Sequence, residues 1–498
     1  MADTKIEVPE LKDELNIPRI EENATAHYKC FPAKEDHMLK TGFPGKRVED
    51  WKEKAIIKLG EILKNSQSLK VFMDICVKCG SCTDKCHYFL GTKDPKNMPV
   101  ARQDLLRKIY KKYFTIAGKL TPGLIGAEEL SEDVLDDWYS YFYQCSECRR
   151  CSVFCPYGID TAEVTMAARE IMNAIGVGQK YTIEIIAKVE SMGNNLGIPK
   201  PALEGTLEVL EEDIKDDTGI DVKIPLDVTG AEVLLIAPSA DLFSEPHIYS
   251  LMGYAKVFHQ AGVSWTLSSY ASEFANFGLF IGNIEHMQKI AQRIADQARE
   301  LNVKRIIVGE CGHAWRVAYS FWNTLIGPFD NLDPKYKTPT HICEFTNDLI
   351  KRGALKLDKS ANDNYTVTMH DSCNVARASR MGDKAGGQFE IPRDLIRASC
   401  NKFVEMDTNT TMEKTFCCGG GGGLLSEEIM ELRVRGTLPR AQSLKQVMDN
   451  DGVNFMAMIC AICKAQFSTV LPYYNIDREL VGGVHQLISN AIVVGAKS

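Results

Sequence analysis

Residues 416–423 read Phe-Cys-Cys-Gly-Gly-Gly-Gly-Gly, an adjacent thiol pair, Cys417 and Cys418, backed by five glycines. Neighbouring side chains diverge and do not easily serve one iron, so vicinal thiolates with no bulk behind them suit an open, low-symmetry metal cluster. Outward from this pair, Cys373 lies upstream and Cys460-x-x-Cys463 downstream, making a set of five thiols. Glycine lets backbone amides approach sulfide and leaves an opening for a ligand. The competing reading is a vicinal disulfide plus a redox C-x-x-C pair, which a reducing compartment disfavours. A disulfide takes two electrons, so a centre fed singly must hold half-reduced sulfur, and iron-bound thiolate can do that. The expected cycle is one electron in, attack on the S–S bond with capture of a sulfur, a second electron, and protonation of the released thiolates.

Around these cysteines, short apolar β-type runs alternate with longer helical patterns, as parallel βαβ units do. Strands are expected at 233–237, 305–308, 366–369 and 455–459. They reveal an internal repeat. The stretch before Ser239 parallels the one before Cys373, Cys311 falls opposite Cys460, and Ala314 falls where Cys463 stands. Residues 268–272 are the expected counterpart of Cys417-Cys418 and carry no thiol, so the first copy reads as degenerate.

Nearer the amino terminus are Cys76-x-x-Cys79-x-x-Cys82-x-x-x-Cys86 and Cys145-x-x-Cys148-x-x-Cys151-x-x-x-Cys155-Pro156. This is a doubled bacterial ferredoxin spacing, in which the fourth cysteine of each run ligates the other cluster. Cluster one is therefore assigned to Cys76, Cys79, Cys82 and Cys155, and cluster two to Cys145, Cys148, Cys151 and Cys86. Zinc, usually held by separated C-x-x-C pairs, is the lesser alternative. His87 stands where the second run has its proline. Helical periodicity at 48–69, 102–114 and 128–143 makes this region mostly α.

The fold class is thus α + α/β multidomain. Expected divisions are a polar, turn-rich extended arm at 1–45, the two-cluster helical domain at 46–175, a helical then acidic connector at 176–230, a degenerate module at 231–345 and a complete module at 346–498. A chain of 498 residues is long enough for several cores. Its formal net charge of −8 argues against nucleic-acid binding. No long apolar run and no basic-then-apolar leader is read, so the chain is expected in the cytosol or peripheral on the cytosolic face of a membrane. The seventeen cysteines then read as metal ligands or reactive thiols rather than disulfides.

His370, three residues before Cys373, and His313, two after Cys311, are candidate proton donors at strand ends, against the plainer reading of satisfied structural histidines. Cys311 is either a wall of the same cavity or an inert buried thiol. Cys30, Cys343 and Cys400 read as structural. Lys93, Lys96, Arg102, Arg107, Lys108, Lys111 and Lys112 form a basic stretch, either a solvated helix face or a dock for an acidic partner.

With CVKCGSCTDKCHYFLGTKDPKNMPVARQDLLRK, ECGHAW, HDSCNVARASR and FCCGGGGG in hand, the chain resembles the catalytic iron-sulfur subunits of heterodisulfide reductases, which carry CCG cysteine-rich domains. Within that family it is most similar to the DsrK type of the DsrMKJOP sulfite-reduction-associated membrane complexes. The resemblance covers nearly everything after about residue 40. It implies two [4Fe-4S] cubanes and one noncubane [4Fe-4S] cluster, the latter on Cys373, Cys417, Cys418, Cys460 and Cys463. It also implies a haem-b membrane partner of DsrM type linked to the quinone pool, and the small protein DsrC, carrying a trisulfide, as substrate. A second class of function is an electron-relay subunit of a flavin dehydrogenase of the glycolate or glycerol-3-phosphate kind, where similar domains occur.

Overall fold

In the computed structural model, the described residues are 35–274, 276–328, 332–336, 338–426 and 429–494. Cys30 and most of the expected arm, residues 1–34, lie outside them. The chain divides into two compact units. Of the described residues, the first comprises those within 35–187, 277–284 and 416–442, and the second those within 188–276, 285–415 and 443–494.

The first unit is helical. Trp51–Asn65 buries Trp51, Ala55, Leu59, Ile62 and Leu63, the three-to-four spacing of one helical stripe. Ser66 ends it and caps the next helix, Gln67–Ile75, by accepting the Leu69 amide. Pro99–Phe114 begins on a proline, whose missing N–H costs nothing at a helix start. Ser131 caps Glu132–Tyr143, and Asp160 caps Thr161–Ala174. Leu106, Leu135, Phe142, Val164, Ala168 and Ile171 fill the space between these helices. Residues 35–40, inside the expected arm, form the short helix Glu35–Lys40 with Met38 buried.

The second unit contains two small parallel sheets. The strands are β1 (Val233–Ile236), β2 (Trp265–Thr266), β3 (Arg305–Val308), β4 (Thr340–His341), β5 (Val367–His370), β6 (Phe455–Met458) and β7 (Val481–Gly483). The first sheet runs β2-β1-β3-β4 and the second β5-β6-β7, with every pairing parallel. A parallel bridge from Val367 to Phe403 lies beside β5, giving the second sheet the strand order of the first. All residues of β1, β3, β5 and β6 are buried, as strands covered by helices on both faces must be. The four long strands stand within one residue of expectation. The two- and three-residue strands β2, β4 and β7 are too short to leave a periodic signal.

A buried ion network fastens the strand ends of this unit. Lys464 Nζ donates to Ser250 Oγ at 2.9 Å and stands 3.4 Å from both Asp241 Oδ1 and Glu310 Oε2, and all three charged side chains are fully buried. Glu310 Oε1 accepts the His485 amide and lies 2.8 Å from its Nδ1. A side chain on Gly483 would strike the Glu310 carboxylate, its Cβ meeting Oε2 at 2.4 Å, so only glycine admits this approach. Burial opposes the Glu310 charge, but Lys464 and His485 together hold its pKa down to about 2. Burial outweighs the Lys464 contribution at Asp241, whose carboxyl is pushed up to about 7.

Removing one partner of a buried pair strands the other, so Lys464→Met should cost about 3–5 kcal/mol. Combining it with Asp241→Asn and Glu310→Gln should return much of that loss. Urea unfolding followed by near-ultraviolet circular dichroism checks both, and an unaffected single variant would contradict the network's importance.

Candidate iron-sulfur sites

In the first unit the eight ferredoxin-type cysteines sort into two clefts. One is lined by Cys76, Cys79, Cys82 and Cys155, together with Gly80, Val100 and Pro156. The other is lined by Cys86, Cys145, Cys148 and Cys151, together with Arg102 and His87. Each cleft thus takes three thiols from one run and the fourth from the other. The two donor sets are of the kind that holds a four-iron cluster. Burial pushes the Cys82 thiol up to about 11, with Cys155 and Cys76 adding repulsion, and burial with Cys145 and Cys86 pushes Cys151 up to about 12. Thiols crowded in this way ionise at neutral pH only with a compensating cation.

Arg102 is buried beside the second cleft, donating to the Tyr141 carbonyl and to Asn97. It therefore leaves the solvated helix face on which the basic stretch was read. The rest of that stretch is largely matched within the unit. Lys96 pairs with Asp137, Lys108 with Glu128 and Lys112 with Glu129, while Arg107 donates to the Cys76 carbonyl.

The loop carrying Cys417 and Cys418 is built into the same unit. Both thiols are buried, and the amides of Gly419 and Gly420 point at them, Gly419 N lying 3.4 Å from Cys417 Sγ and Gly420 N 3.5 Å from Cys418 Sγ. Tyr88 Oη donates to the Gly419 carbonyl at 2.7 Å. His87, in place of a proline, bridges the Gly436 carbonyl at 2.8 Å and Ser146 Oγ at 2.9 Å. Arg169, fully buried, donates to the carbonyls of Phe142, Cys145, Phe280 and Gly422 and pairs with Glu147. The Arg150 guanidinium lies 3.7 Å above the Phe416 ring, next to the thiol pair. His87, Tyr88 and Arg169 were not singled out from the sequence; a histidine replacing the proline of a ferredoxin run was the one available hint.

The other three thiols belong to the second unit. Cys373 opens the helix Cys373–Ala378 just beyond β5, and Cys460 caps Ala461–Val470 just beyond β6, which also carries Cys463. Because β5 and β6 pair in parallel, with His370 opposite Met458, both helices start from the same edge of the sheet. Cys373, Cys460 and Cys463 are all buried. The Cys460 thiol is held well below its ordinary range, first by its hydrogen bond with Cys463 and then by His313. His313 Nδ1 is 3.8 Å from Cys460 Sγ.

Cys311 caps the helix Gly312–Ser320 after β3, as Cys460 does after β6, and its thiol accepts the Ala314 amide. Burial and the nearby Cys460 push Cys311 well above the usual thiol range. His370 is fully buried at the end of β5, edge-on to Phe467 with centroids 4.9 Å apart. Cys343 is buried with its ligand atom within 4.8 Å of those of Glu310 and His485, and Cys400 is buried beside Ser399.

A model of the 4Fe-4S dicluster domain matches residues 72–159, and one of the cysteine-rich domain called CCG matches residues 367–468. The chain is 42% identical over 481 residues, 91% of its length and 85% of the relative's, to the Hdr-like menaquinol oxidoreductase iron-sulfur subunit of Archaeoglobus profundus. It is 42% identical over 486 residues to iron-sulfur subunit 2 of the same kind from Archaeoglobus fulgidus, with the same coverage of 91% and 85%. A polypeptide of the dihydromethanophenazine:CoB–CoM heterodisulfide reductase of Methanosarcina barkeri is 23% identical over 411 residues, 80% of this chain and 88% of that one. With 42% identity spanning nearly the whole chain, this protein belongs to the family of Hdr-like menaquinol oxidoreductase iron-sulfur subunits.

Proposed function

We propose that this chain carries electrons from a quinone-linked haem-b membrane partner to a sulfur substrate, and that it is the subunit on which the sulfur–sulfur bond is reduced. Two [4Fe-4S] cubanes are assigned to Cys76, Cys79, Cys82 and Cys155 and to Cys145, Cys148, Cys151 and Cys86. A noncubane [4Fe-4S] cluster is assigned to Cys373, Cys417, Cys418, Cys460 and Cys463. When bound, the clusters supply single-electron storage and, at the third site, an iron able to hold sulfur between two electron arrivals. The substrate is a disulfide or trisulfide, of which the DsrC trisulfide of DsrMKJOP-type systems is the proposed example.

The observation that carries this reading is the lining of the two clefts, with Cys86 and Cys155 exchanged between the runs. Side chains that follow Cys86 hold the Cys417-Cys418 loop in the same unit, so the electron route and the thiol pair share one body. Relatives named as menaquinol oxidoreductase and as heterodisulfide reductase subunits supply the two ends of the route. The shared strand order supports reading the second unit as two modules, the first degenerate. His313, beside Cys460, is assigned proton delivery to sulfur, with His370 and Cys311 as further members of the site.

No described helix is long and apolar enough to cross a membrane, so contact with the membrane partner is assigned to the surface of the chain. The short helices Ile116–Leu120 and Pro122–Ile125 expose Ile116, Leu120 and Leu124, each more than three-quarters accessible. They offer an apolar contact for that partner.

Cys418→Ala should abolish disulfide turnover while dithionite still reduces both cubanes, and retained turnover would place the chemistry elsewhere. Cys155→Ser should give an electron paramagnetic resonance spectrum matching that of Cys76→Ser rather than that of Cys148→Ser. A match to Cys148→Ser would contradict the exchange of fourth ligands.

A further inference from the structure

Two successive peptide groups in the Cys417-Cys418 loop are gripped at both ends. The peptide joining Cys418 to Gly419 accepts a hydrogen bond at its carbonyl from Thr437 Oγ1, at 2.6 Å, and points its N–H at Cys417 Sγ, at 3.4 Å. The peptide joining Gly419 to Gly420 accepts at its carbonyl from Tyr88 Oη, at 2.7 Å, and points its N–H at Cys418 Sγ, at 3.5 Å. Thr437 Oγ1 also lies 3.0 Å from the Arg433 carbonyl, and the shorter contact is the one to Cys418. All of these residues belong to the first unit.

The backbone between the two peptides has a left-handed turn at Gly419, with φ +93°. A Cβ there would sit 2.9 Å from Thr437 Oγ1 and 3.1 Å from the Arg433 carbonyl, so glycine is required on both counts. Tyr88 is nearly inaccessible, its ring lying against Gly436 and tilted over His87 with centroids 4.1 Å apart. Thr437 is fully buried as well, with its hydroxyl on the Cys418 carbonyl. A donor at a carbonyl polarises the whole amide and strengthens the bond its N–H makes, as in any chain of hydrogen bonds. An N–H aimed at sulfur favours the form of a centre that carries more negative charge, and hydrogen bonds to sulfur are among the terms that set cluster potentials.

We propose that Tyr88 and Thr437 are positioning residues that act through the Gly419 and Gly420 amides to raise the reduction potential of the centre bound by Cys417 and Cys418. The inference rests on the assignment of a third centre to those thiols. Tyr88 is two residues from Cys86, so the potential of the third centre is set from the segment that ligates the second cubane. A higher potential there favours electron arrival at the third centre over its departure.

The test is an anaerobic redox titration of the full-length, cluster-loaded protein, followed by electron paramagnetic resonance. Tyr88→Phe and Thr437→Val should each leave the third centre more oxidised at a fixed ambient potential. Together they should change its oxidised-to-reduced ratio by about tenfold, equivalent to about 59 mV for a one-electron couple. The midpoint of the cubane at Cys76, Cys79, Cys82 and Cys155 should stay in place. Thr437→Ser keeps the hydroxyl and should match the wild type, and exchangeable-proton couplings at the third centre should weaken in Tyr88→Phe and in Thr437→Val and most in the double variant. An unmoved potential in the double variant, or a Thr437→Ser protein shifted as far as Thr437→Val, would overturn the proposal while leaving the third centre standing. A wild-type protein with no third signal would overturn both.

Discussion

Cys86 and Cys155 each line the cleft of the other cysteine run, and much of the first unit follows from that exchange. A thiol that must serve the neighbouring set forces the two runs side by side, and it fixes where the residues next to it point. Immediately after Cys86 come His87 and Tyr88, which bond the Gly436 and Gly419 carbonyls. Arg169 completes the fastening by gathering carbonyls from Phe142, Cys145, Phe280 and Gly422 around one buried guanidinium. A segment more than 250 residues away in sequence from the first run is thereby made part of the ferredoxin-like body.

The second unit is organised by charge rather than by thiols. Glu310 directly precedes Cys311 and Lys464 directly follows Cys463, and the two meet in a fully buried network with Asp241 and His485. Buried ions stabilise little against well-packed apolar substitutes, but stripping one partner leaves the others buried and uncompensated. Lys464, one residue after Cys463, ties the helix that carries that thiol to Asp241 and Glu310. The ferredoxin-type clefts lie in one unit, and Cys373, Cys460 and Cys463 stand just beyond the strand ends of the other.

The long strands and main helices were legible because burial imposes periodicity: Val233–Ile236 and Phe455–Met458 are unbroken apolar runs, and Trp51–Asn65 repeats every three to four residues. The sorting of thiols between Cys86 and Cys155 was legible because spacing alone carries it. Tyr88, Arg169 and Lys464 were not legible as site residues. An aromatic, an arginine and a lysine in helices read as core or surface until tertiary contacts bring their partners from Gly419, Gly422 and Glu310. Within the basic stretch only the placement of Arg102 departs from a solvated helix face, and the acidic partners of Lys96, Lys108 and Lys112, at Asp137, Glu128 and Glu129, come from elsewhere in the chain.

The claim on which the functional account turns is that this protein holds a third iron-sulfur centre unlike the other two. A Mössbauer spectrum of ⁵⁷Fe-enriched, anaerobically purified full-length protein addresses it directly. The account predicts cubane doublets together with a separate iron population, whose parameters change when a thiol product of the S–S reduction is added. Cubane doublets alone, indifferent to thiol, would contradict it.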